Sequence, residues 1–273
     1  MSSIVPALSY GDSPSLEGER LVAIEDLSLV YGRGKKAKEV LSGVQLELGE
    51  REFVCVLGAS GSGKTSLLRL IAGYEQPTSG FVRVLGKEKA APNSEVGVVF
   101  QHANLFPWLS IQRNVEFGLR MQGVGRADRT MKAAEAIRQV GLRDAADRLP
   151  YQLSGGMKQR AAIARTLAAS PRLILMDEPF GALDAITREN LQQQLRQLWL
   201  ASQQAVFFIT HDVDEALLLA TRIVVLSGSP GKVAVDMPNP LYSEEETAAD
   251  LRKHRDYGKL REQLVASLKQ EAY

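Results

Sequence analysis

The sequence is poor in the features that mark secreted, disulfide-bonded and membrane-spanning chains. Its 273 residues include one cysteine, Cys55, which cannot form an internal disulfide and lies in the apolar run FVCVLG. We therefore expect a buried thiol in a reducing compartment. No apolar run approaches the roughly 18 residues that a membrane-spanning helix needs. The formal net charge is only +1, which gives no electrostatic case for nucleic acid as the main partner.

The N-terminal segment lacks the basic start and the sustained apolar core of a signal peptide. Its Ser, Pro and Gly instead predict a flexible leader over residues 1–20, with the fold beginning near Leu21. The length suits one large α/β domain or two smaller ones. We expect one domain over residues 21–240. A helical tail should follow over residues 241–273, where apolar side chains recur at Leu260, Leu264 and Leu268.

Four short apolar runs each end in polar residues that can carry chemistry. The runs FVCVLG, VGVVF, LILM and VFFIT lead into GASGSGKT, Gln101, Asp177 with Glu178, and His211. Such runs, which do not alternate with polar residues, are typical of strands buried on both faces of a parallel sheet. Because ligands of these sheets bind beyond the carboxyl ends of the strands, we expect the four endings to converge on one site.

The rest of the pattern predicts an α/β fold with two additions. The segment LVAIEDLSLVYGRG and the next apolar stretch alternate in part, which predicts an antiparallel N-terminal β-subdomain. Residues 102–170 are too many for a plain crossover between strands, so we expect an inserted helical subdomain. One of its helices should bury Met131, Ala134, Ile137 and Val140. A helix after Asp184 should bury Leu191, Leu195 and Leu198.

The segment GASGSGKT at residues 58–65 matches the phosphate-binding pattern G-x-x-x-x-G-K-[ST], between a predicted strand and a predicted helix. Its glycines would let backbone N–H groups surround the phosphates, and the helix N-terminus adds its dipole. Lys64 should reach the β- and γ-phosphates, and the Thr65 hydroxyl should hold Mg²⁺. The predicted nucleotide-binding residues here are Gly58, Ala59, Ser60, Gly61, Ser62, Gly63, Lys64, Thr65 and Ser66.

The polar strand endings supply candidate catalytic groups. Asp177 is suited to hold Mg²⁺, commonly through water, and Glu178 to take a proton from the attacking water. Gln101 can reach the metal or that water with a neutral amide. His211 can donate to the γ-phosphate or orient the water, although a lone histidine there is more often a capping or core residue. Tyr31 offers an aromatic face for adenine; the alternative is a plain turn tyrosine.

A second glycine-rich helix start lies in LSGGMKQR, residues 153–160. Ser154 is an expected N-cap, and Gly155 and Gly156 leave backbone N–H groups free to bind an anion. No buried strand precedes this motif, so we do not expect it to reach the phosphates held by its own chain. A head-to-tail homodimer would give this motif a phosphate to bind. Ser154, Gly155 and Gly156 of one chain would close over the γ-phosphate held by the other.

These motifs resemble those of the nucleotide-binding subunit of an ATP-binding cassette (ABC) transporter, over about residues 21–240. In order along the chain, the resemblance is carried by GASGSGKT, Gln101, LSGGMKQR, LILMDE, GALD (residues 181–184) and His211. The resemblance implies two ATP molecules between two subunits, with Asp184 of the GALD motif contacting across the dimer. Met157 stands where the family usually has Gln. Met is familiar there in the importer branch for nitrate, sulfonate and taurine, and we expect no loss of activity. LSGSPGKV, which begins at Leu226, looks most like the taurine type.

The resemblance implies an ATPase that energises uptake of a small anionic or zwitterionic solute. It would lie peripherally on the cytoplasmic face of the inner membrane. It would bind a transmembrane permease subunit and act indirectly with a solute-binding protein. The apolar cluster of Phe106, Pro107, Trp108 and Leu109 would then receive a helix of the permease, or would instead pack inside the helical subdomain.

Two other classes of protein share parts of the pattern. One is a soluble, non-transport ABC ATPase of DNA repair or translation, but those usually carry two cassettes or long coiled-coil inserts. The other is a P-loop kinase or GTPase, which leaves LSGGMKQR unexplained.

Overall fold

The structure is a computed structural model, which describes residues 19–88, 91–181, 183–202 and 204–269. Most of the predicted leader therefore lies outside the described residues, and the first strand begins at Arg20. The strands are β1 (Arg20–Tyr31), β2 (Lys38–Gly49), β3 (Phe53–Leu57), β4 (Ser79–Val84), β5 (Lys87–Glu88), β6 (Val96–Val99), β7 (Leu173–Asp177), β8 (Ala205–Ile209), β9 (Arg222–Ser227) and β10 (Lys232–Pro238).

The α-helices lie between and after these strands. They are α1 (Lys64–Ile71), α2 (Ile111–Met121), α3 (Arg126–Gln139), α4 (Gly155–Ala168), α5 (Ala185–Ser202), α6 (Val213–Leu219), α7 (Ala248–Lys253) and α8 (Tyr257–Lys269). Within the described part of the chain, no helix is both long enough and apolar enough to cross a bilayer.

Two sheets carry the fold. The first is antiparallel, with the strand order β2-β1-β4-β5, as expected for the N-terminal subdomain. The second has the order β10-β9-β3-β8-β7-β6, and all of its pairings except β10 with β9 are parallel. The four apolar runs of the sequence are β3, β6, β7 and β8. Their carboxyl ends therefore meet at one edge of the sheet.

Strand β3 shows why these runs lack alternation. Phe53, Cys55 and Leu57 pack into the core on one face of the sheet, whereas Val54 and Val56 pack into the core on the other face. All five side chains are fully buried, so polar residues have no place in the strand. The buried thiol predicted at Cys55 is confirmed, and burial raises its pKa well above the ordinary value.

Helices α2, α3 and α4 lie between β6 and β7, as expected for an inserted helical subdomain, but the predicted face of α3 is wrong in part. Met131 is 65% exposed and Ala134 is also exposed. Ile137 and Val140 are buried as predicted, together with Ala133 and Ala136. The helix contains four alanines that fit either face, and packing against α2 and α4 selects the face with the small side chains.

The later helices follow their predicted stripes closely. In α5, Leu191 and Leu195 are buried as predicted, but Trp199 completes the buried face and Leu198 is only half-buried. The bulky indole takes the core position because it packs edge-on against the ring of Phe53. In α8, the expected stripe buries Leu260 and Leu264 and leaves Leu268 half-buried. This helix packs on α6 and β9.

Candidate active site

The phosphate loop connects the end of β3 to the start of α1, and its shape requires glycine. Gly61 and Gly63 have φ angles of 88° and 89°, in the left-handed region that L side chains rarely adopt. A Cβ atom at Gly58 would lie 2.4 Å from the carbonyl oxygen of Leu226. The loop therefore approaches β9 so closely that only a residue without a side chain fits.

Lys64, the first residue of α1, is buried beneath the loop, with 6% of its surface exposed. Its Nζ donates hydrogen bonds to the carbonyl oxygens of Gly58 (2.8 Å) and Ala59 (2.9 Å). Burial lowers the pKa of Lys64, and the nearby carboxylates of Glu178 and Asp177 oppose that shift. The side chain thus places an ammonium group at the loop, where phosphate oxygens would satisfy it better than carbonyls.

Thr65 and Asp177 join the phosphate loop to the end of β7. The Thr65 hydroxyl donates to Oδ1 of Asp177 at 3.2 Å. Burial raises the pKa of Asp177, and the hydrogen bond from Thr65 opposes this shift. A hydroxyl and a carboxylate oxygen, side by side and next to a phosphate loop, match the oxygen ligands that Mg²⁺ prefers. The residues present therefore fit a magnesium ion.

Glu178 and His211 form a second pair beside the first. Nδ1 of His211 lies 3.2 Å from Oε2 of Glu178, and the imidazole is largely exposed. Glu178 has a φ of 44°, an unfavourable conformation for a residue with a side chain. A hydrogen bond from its backbone N–H to the carbonyl oxygen of Ile209 holds it there. The strained backbone thus fixes the Glu178 carboxylate between the Thr65–Asp177 pair and His211.

Gln101 lies at the carboxyl end of β6, next to β7, and is exposed. Among the described residues, no hydrogen bond joins its side chain to Asp177, Glu178 or the phosphate loop. The structure thus brings together the endings of β3, β7 and β8, and leaves Gln101 at the neighbouring strand end without direct contact. Gln101 lies apart because β6 is an edge strand of the sheet. In the strand order, β6 is farther from β3 than β7 and β8 are.

Tyr31 lies at the end of β1 and not within the turn that follows. Its ring is partly exposed, and its hydroxyl donates to Glu75 and lies 3.3 Å from Oγ of Ser66. Burial and then the hydrogen bond to Glu75 raise the pKa of Tyr31. The Tyr31 side chain therefore lies next to the first turn of α1. No local pattern singles out Glu75, because its contact with Tyr31 joins residues 44 positions apart in the chain.

The second glycine-rich helix start differs from the phosphate loop in its surroundings. The Ser154 hydroxyl accepts a hydrogen bond from the backbone N–H of Met157 and caps α4, as predicted. Gly155 has open space where a Cβ atom would stand, whereas a Cβ atom at Gly156 would lie 3.0 Å from Cγ2 of Thr187. In the described parts of the chain, no hydrogen bond or ion pair joins residues 154–156 to residues 58–66.

Asp184 follows both this motif and the carboxylates of Asp177 and Glu178 in the sequence, and its side chain caps α5. Oδ1 of Asp184 accepts a hydrogen bond from the backbone N–H of Thr187 at 3.0 Å. This bond lowers the pKa of Asp184. The carboxylate is exposed and remains ionised.

Helix α4 holds the segment that follows Gln101 through residues that the sequence did not single out. Nε2 of Gln159 donates to the carbonyl oxygen of Phe100 at 3.0 Å. The Arg165 guanidinium donates to the carbonyl oxygens of Asn104 (2.8 Å) and Ala103 (3.3 Å). The helix that begins at Ser154 is therefore connected directly to the strand end at Gln101.

The buried side-chain amide of Asn114 holds the backbone of the apolar cluster at residues 106–109 in place. The fully buried Asn114 accepts a hydrogen bond from the backbone N–H of Phe106 and donates to the carbonyl oxygens of Phe106 and Leu109. The Phe106 ring packs on Phe117, with centroids 4.5 Å apart. Trp108 remains 72% exposed. The interior packing considered as an alternative is therefore wrong for Trp108 and applies only in part to its neighbours.

Comparison with known families matches the family model "ABC transporter" to residues 41–181, just over half of the chain. The chain belongs to the ABC transporter family. Among its relatives, the taurine import ATP-binding protein TauB of Sinorhizobium fredii is 50% identical over 221 residues, or 80% of this chain and 83% of that protein. The nitrate import ATP-binding protein NrtD of Synechocystis is 45% identical over 234 residues, which is 86% of each.

Solved structures of ABC cassettes share the fold. Two structures of the ATP-binding cassette MJ0796, both described as dimeric and one bound to ADP and Pi, align with TM-scores of 0.73 and 0.71 at 33% identity. Each covers 80% of this chain and 98% of the other. The predicted P-loop α/β fold and ABC family are confirmed, and the kinase and GTPase alternatives find no support.

Proposed function

We propose that this ABC protein hydrolyses ATP to drive uptake of a small anion or zwitterion, of the taurine, sulfonate or nitrate type. The observation that carries the ATPase assignment is the pair of contacts at one sheet edge: Thr65 with Asp177, and Glu178 with His211. The names of the relatives, taurine import and nitrate import ATP-binding proteins, support the class of solute.

The proposed reaction uses each group according to its chemistry. The loop at residues 58–63 and the buried ammonium of Lys64 bind the phosphates, and Tyr31 stacks on the adenine. Thr65 and Asp177 hold Mg²⁺, with Gln101 as a further ligand; the ion, when bound, neutralises charge on the phosphate oxygens. Glu178 accepts a proton from the attacking water. His211 orients that carboxylate and the water.

Two copies of the chain complete the site in this proposal. Ser154, Gly155 and Gly156 of one copy close over the γ-phosphate held by the other, and Asp184 contacts the partner's site. Three observations support this arrangement: the N-terminus of α4 is exposed, no hydrogen bond or ion pair among the described residues joins it to the phosphate loop of its own chain, and cassettes of similar fold are dimeric. ATP would then draw the two copies together because only the closed dimer offers both sets of contacts.

The exposed cluster around Trp108 is the proposed contact with a transmembrane permease at the cytoplasmic face of the inner membrane. Exposed apolar patches of this kind mark binding sites, and the buried Asn114 fixes the shape of the loop. Trp108→Ala should abolish coupling of ATP hydrolysis to transport while the melting temperature of the isolated chain stays unchanged. Unfolding of this variant would show that the indole serves the core instead.

The test of the proposed function is reconstitution. The chain would be purified with its permease and solute-binding protein, placed in liposomes, and assayed for ATP hydrolysis with taurine, an alkanesulfonate or nitrate. We expect one of these solutes to stimulate hydrolysis severalfold and to accumulate inside the liposomes. Hydrolysis without membrane association, and without a response to any of the three, would favour the alternative of a soluble ABC ATPase.

A further inference from the structure

The two C-terminal helices contact the helices that follow two of the proposed site loops. Helix α5 begins directly after Asp184, and α6 begins directly after His211 and its neighbour Asp212, which caps α6. Helix α7 meets α5, and α8 meets α6. The tail therefore contacts the helices that begin directly after both loops.

The contact between α8 and α6 concentrates on a single carboxylate oxygen. The Tyr257 hydroxyl and Nε of Arg261 each donate to Oδ1 of Asp214 at 2.8 Å. Asp214 lies in the first turn of α6, three residues after His211. Burial, reinforced by Asp214, raises the pKa of Tyr257. Tyr257 thus stays protonated and able to donate at physiological pH.

The contact between α7 and α5 is an ion pair, in which Nη1 of Arg252 lies 2.5 Å from Oε1 of Glu189. Beneath the surface, Nε2 of Gln192 on α5 donates to Oε1 of Glu215 on α6 at 3.2 Å. The Thr210 hydroxyl donates to the other oxygen of Glu215 at 2.6 Å. Thr210 immediately precedes His211, so α5, α6 and the histidine loop form one hydrogen-bonded unit.

We propose that Tyr257 and Arg261 are positioning residues for the ATPase reaction: through Asp214 they hold the start of α6 and so keep His211 against Glu178. This inference rests on the proposed function. The phosphate loop belongs to β3 and α1, which these contacts do not touch. Loss of the contacts should therefore slow hydrolysis and leave ATP binding unchanged.

The test uses the full chain with Tyr257→Phe and Arg261→Met combined, because either donor alone keeps one hydrogen bond to Asp214. We expect kcat for ATP hydrolysis to fall about threefold to tenfold, the effect of one or two net hydrogen bonds, with an unchanged Kd for ATP. Hydrogen exchange across residues 210–216 should be faster than in the wild type. The exchange measurement does not depend on activity.

Two control variants separate positioning from stability. Arg255→Ala removes an exposed tail side chain that pairs with its neighbour Asp256 and should change nothing. Leu268→Ala removes apolar packing at the end of α8 without touching Asp214. It should lower the melting temperature and leave kcat unchanged.

The proposal is overturned if the double variant keeps wild-type hydrogen exchange and kcat. It is also overturned if Leu268→Ala lowers the melting temperature as much as the double variant does and reduces kcat by the same factor. A wild-type chain that binds no ATP would refute the proposed function instead, and hydrogen exchange would still decide whether Tyr257 and Arg261 hold the histidine loop.

Discussion

The chain carries two glycine-rich helix starts of similar sequence and very different surroundings. The phosphate loop at residues 58–63 leads from a fully buried strand into α1. Residues 153–156 lead from a 3₁₀ turn at Pro150–Gln152, in which only Pro150 is buried, into α4. Both present backbone N–H groups at a helix N-terminus, a general way to bind an anion. Their neighbours decide what each one can do.

The phosphate loop is complete within one chain, whereas the start of α4 is not. Lys64, Thr65 and Asp177 surround the first with a cation and oxygen ligands. The second offers only the neutral Ser154, Gly155 and Gly156. A helix N-terminus becomes a nucleotide site when a sheet edge supplies charged groups beside it, and without them it is suited to recognise an anion that another molecule already holds.

The largest effect should come from Lys64, the only charged residue in the segment 58–66. Lys64→Ala removes the buried ammonium, so we expect no measurable ATP binding by titration calorimetry, with the fold preserved in circular dichroism spectra. Lys158→Ala, at a half-buried position near the start of α4, is the matched control and should bind ATP normally. Tight binding by Lys64→Ala would refute the assignment of the phosphate loop.

Glu178→Gln tests the catalytic side of the same site. The amide cannot accept the proton of the attacking water, so kcat should fall by about 10² to 10⁴, while ATP binding remains. The variant should also lengthen the life of the ATP-bound dimer, which size-exclusion chromatography with ATP would detect. Normal turnover would show that another group is the base.

Gly155→Ala tests the helix start of α4 separately from stability. The added methyl group meets nothing within its own chain, but it would stand between the backbone and a phosphate held by the partner. We expect kcat to fall about tenfold, equivalent to about 1.4 kcal/mol, with an unchanged Kd for ATP in the monomer. Gly258→Ala, which also has open space, should have no effect. Equal activity of the two variants would argue against the ATP-bridged dimer.

The smallest effect should come from the cap of α4. Ser154→Ala removes the acceptor for the N–H of Met157, which should cost about 1 kcal/mol of unfolding free energy. Urea denaturation would measure it. Ser110→Ala, which removes the corresponding cap of α2, is the comparison. A loss of kcat in Ser154→Ala but not in Ser110→Ala would show that the Ser154 hydroxyl itself contributes to the proposed contact with the partner's γ-phosphate.

Local patterns predicted the elements whose chemistry is local. The buried strands, the phosphate loop and the caps are each specified by a few adjacent residues, and they appear where expected. The predicted buried face of α3 is wrong at Met131 and Ala134, since alanines on several sides of the helix leave the choice of face to packing. Gln101 follows the edge strand β6 and makes no direct contact with Asp177 or Glu178, so its role at the metal or the attacking water stays a prediction.

By itself, the sequence determined the buried strands, the motifs that end them and the family, because strand burial and phosphate binding depend on short runs of residues. Tertiary structure alone decided which endings meet, that Trp108 stays exposed, and that Tyr257 and Arg261 hold the start of α6 through Asp214. The reason is physical: these contacts join residues far apart in the chain, and only the packing of complete helices and strands brings them within hydrogen-bonding distance.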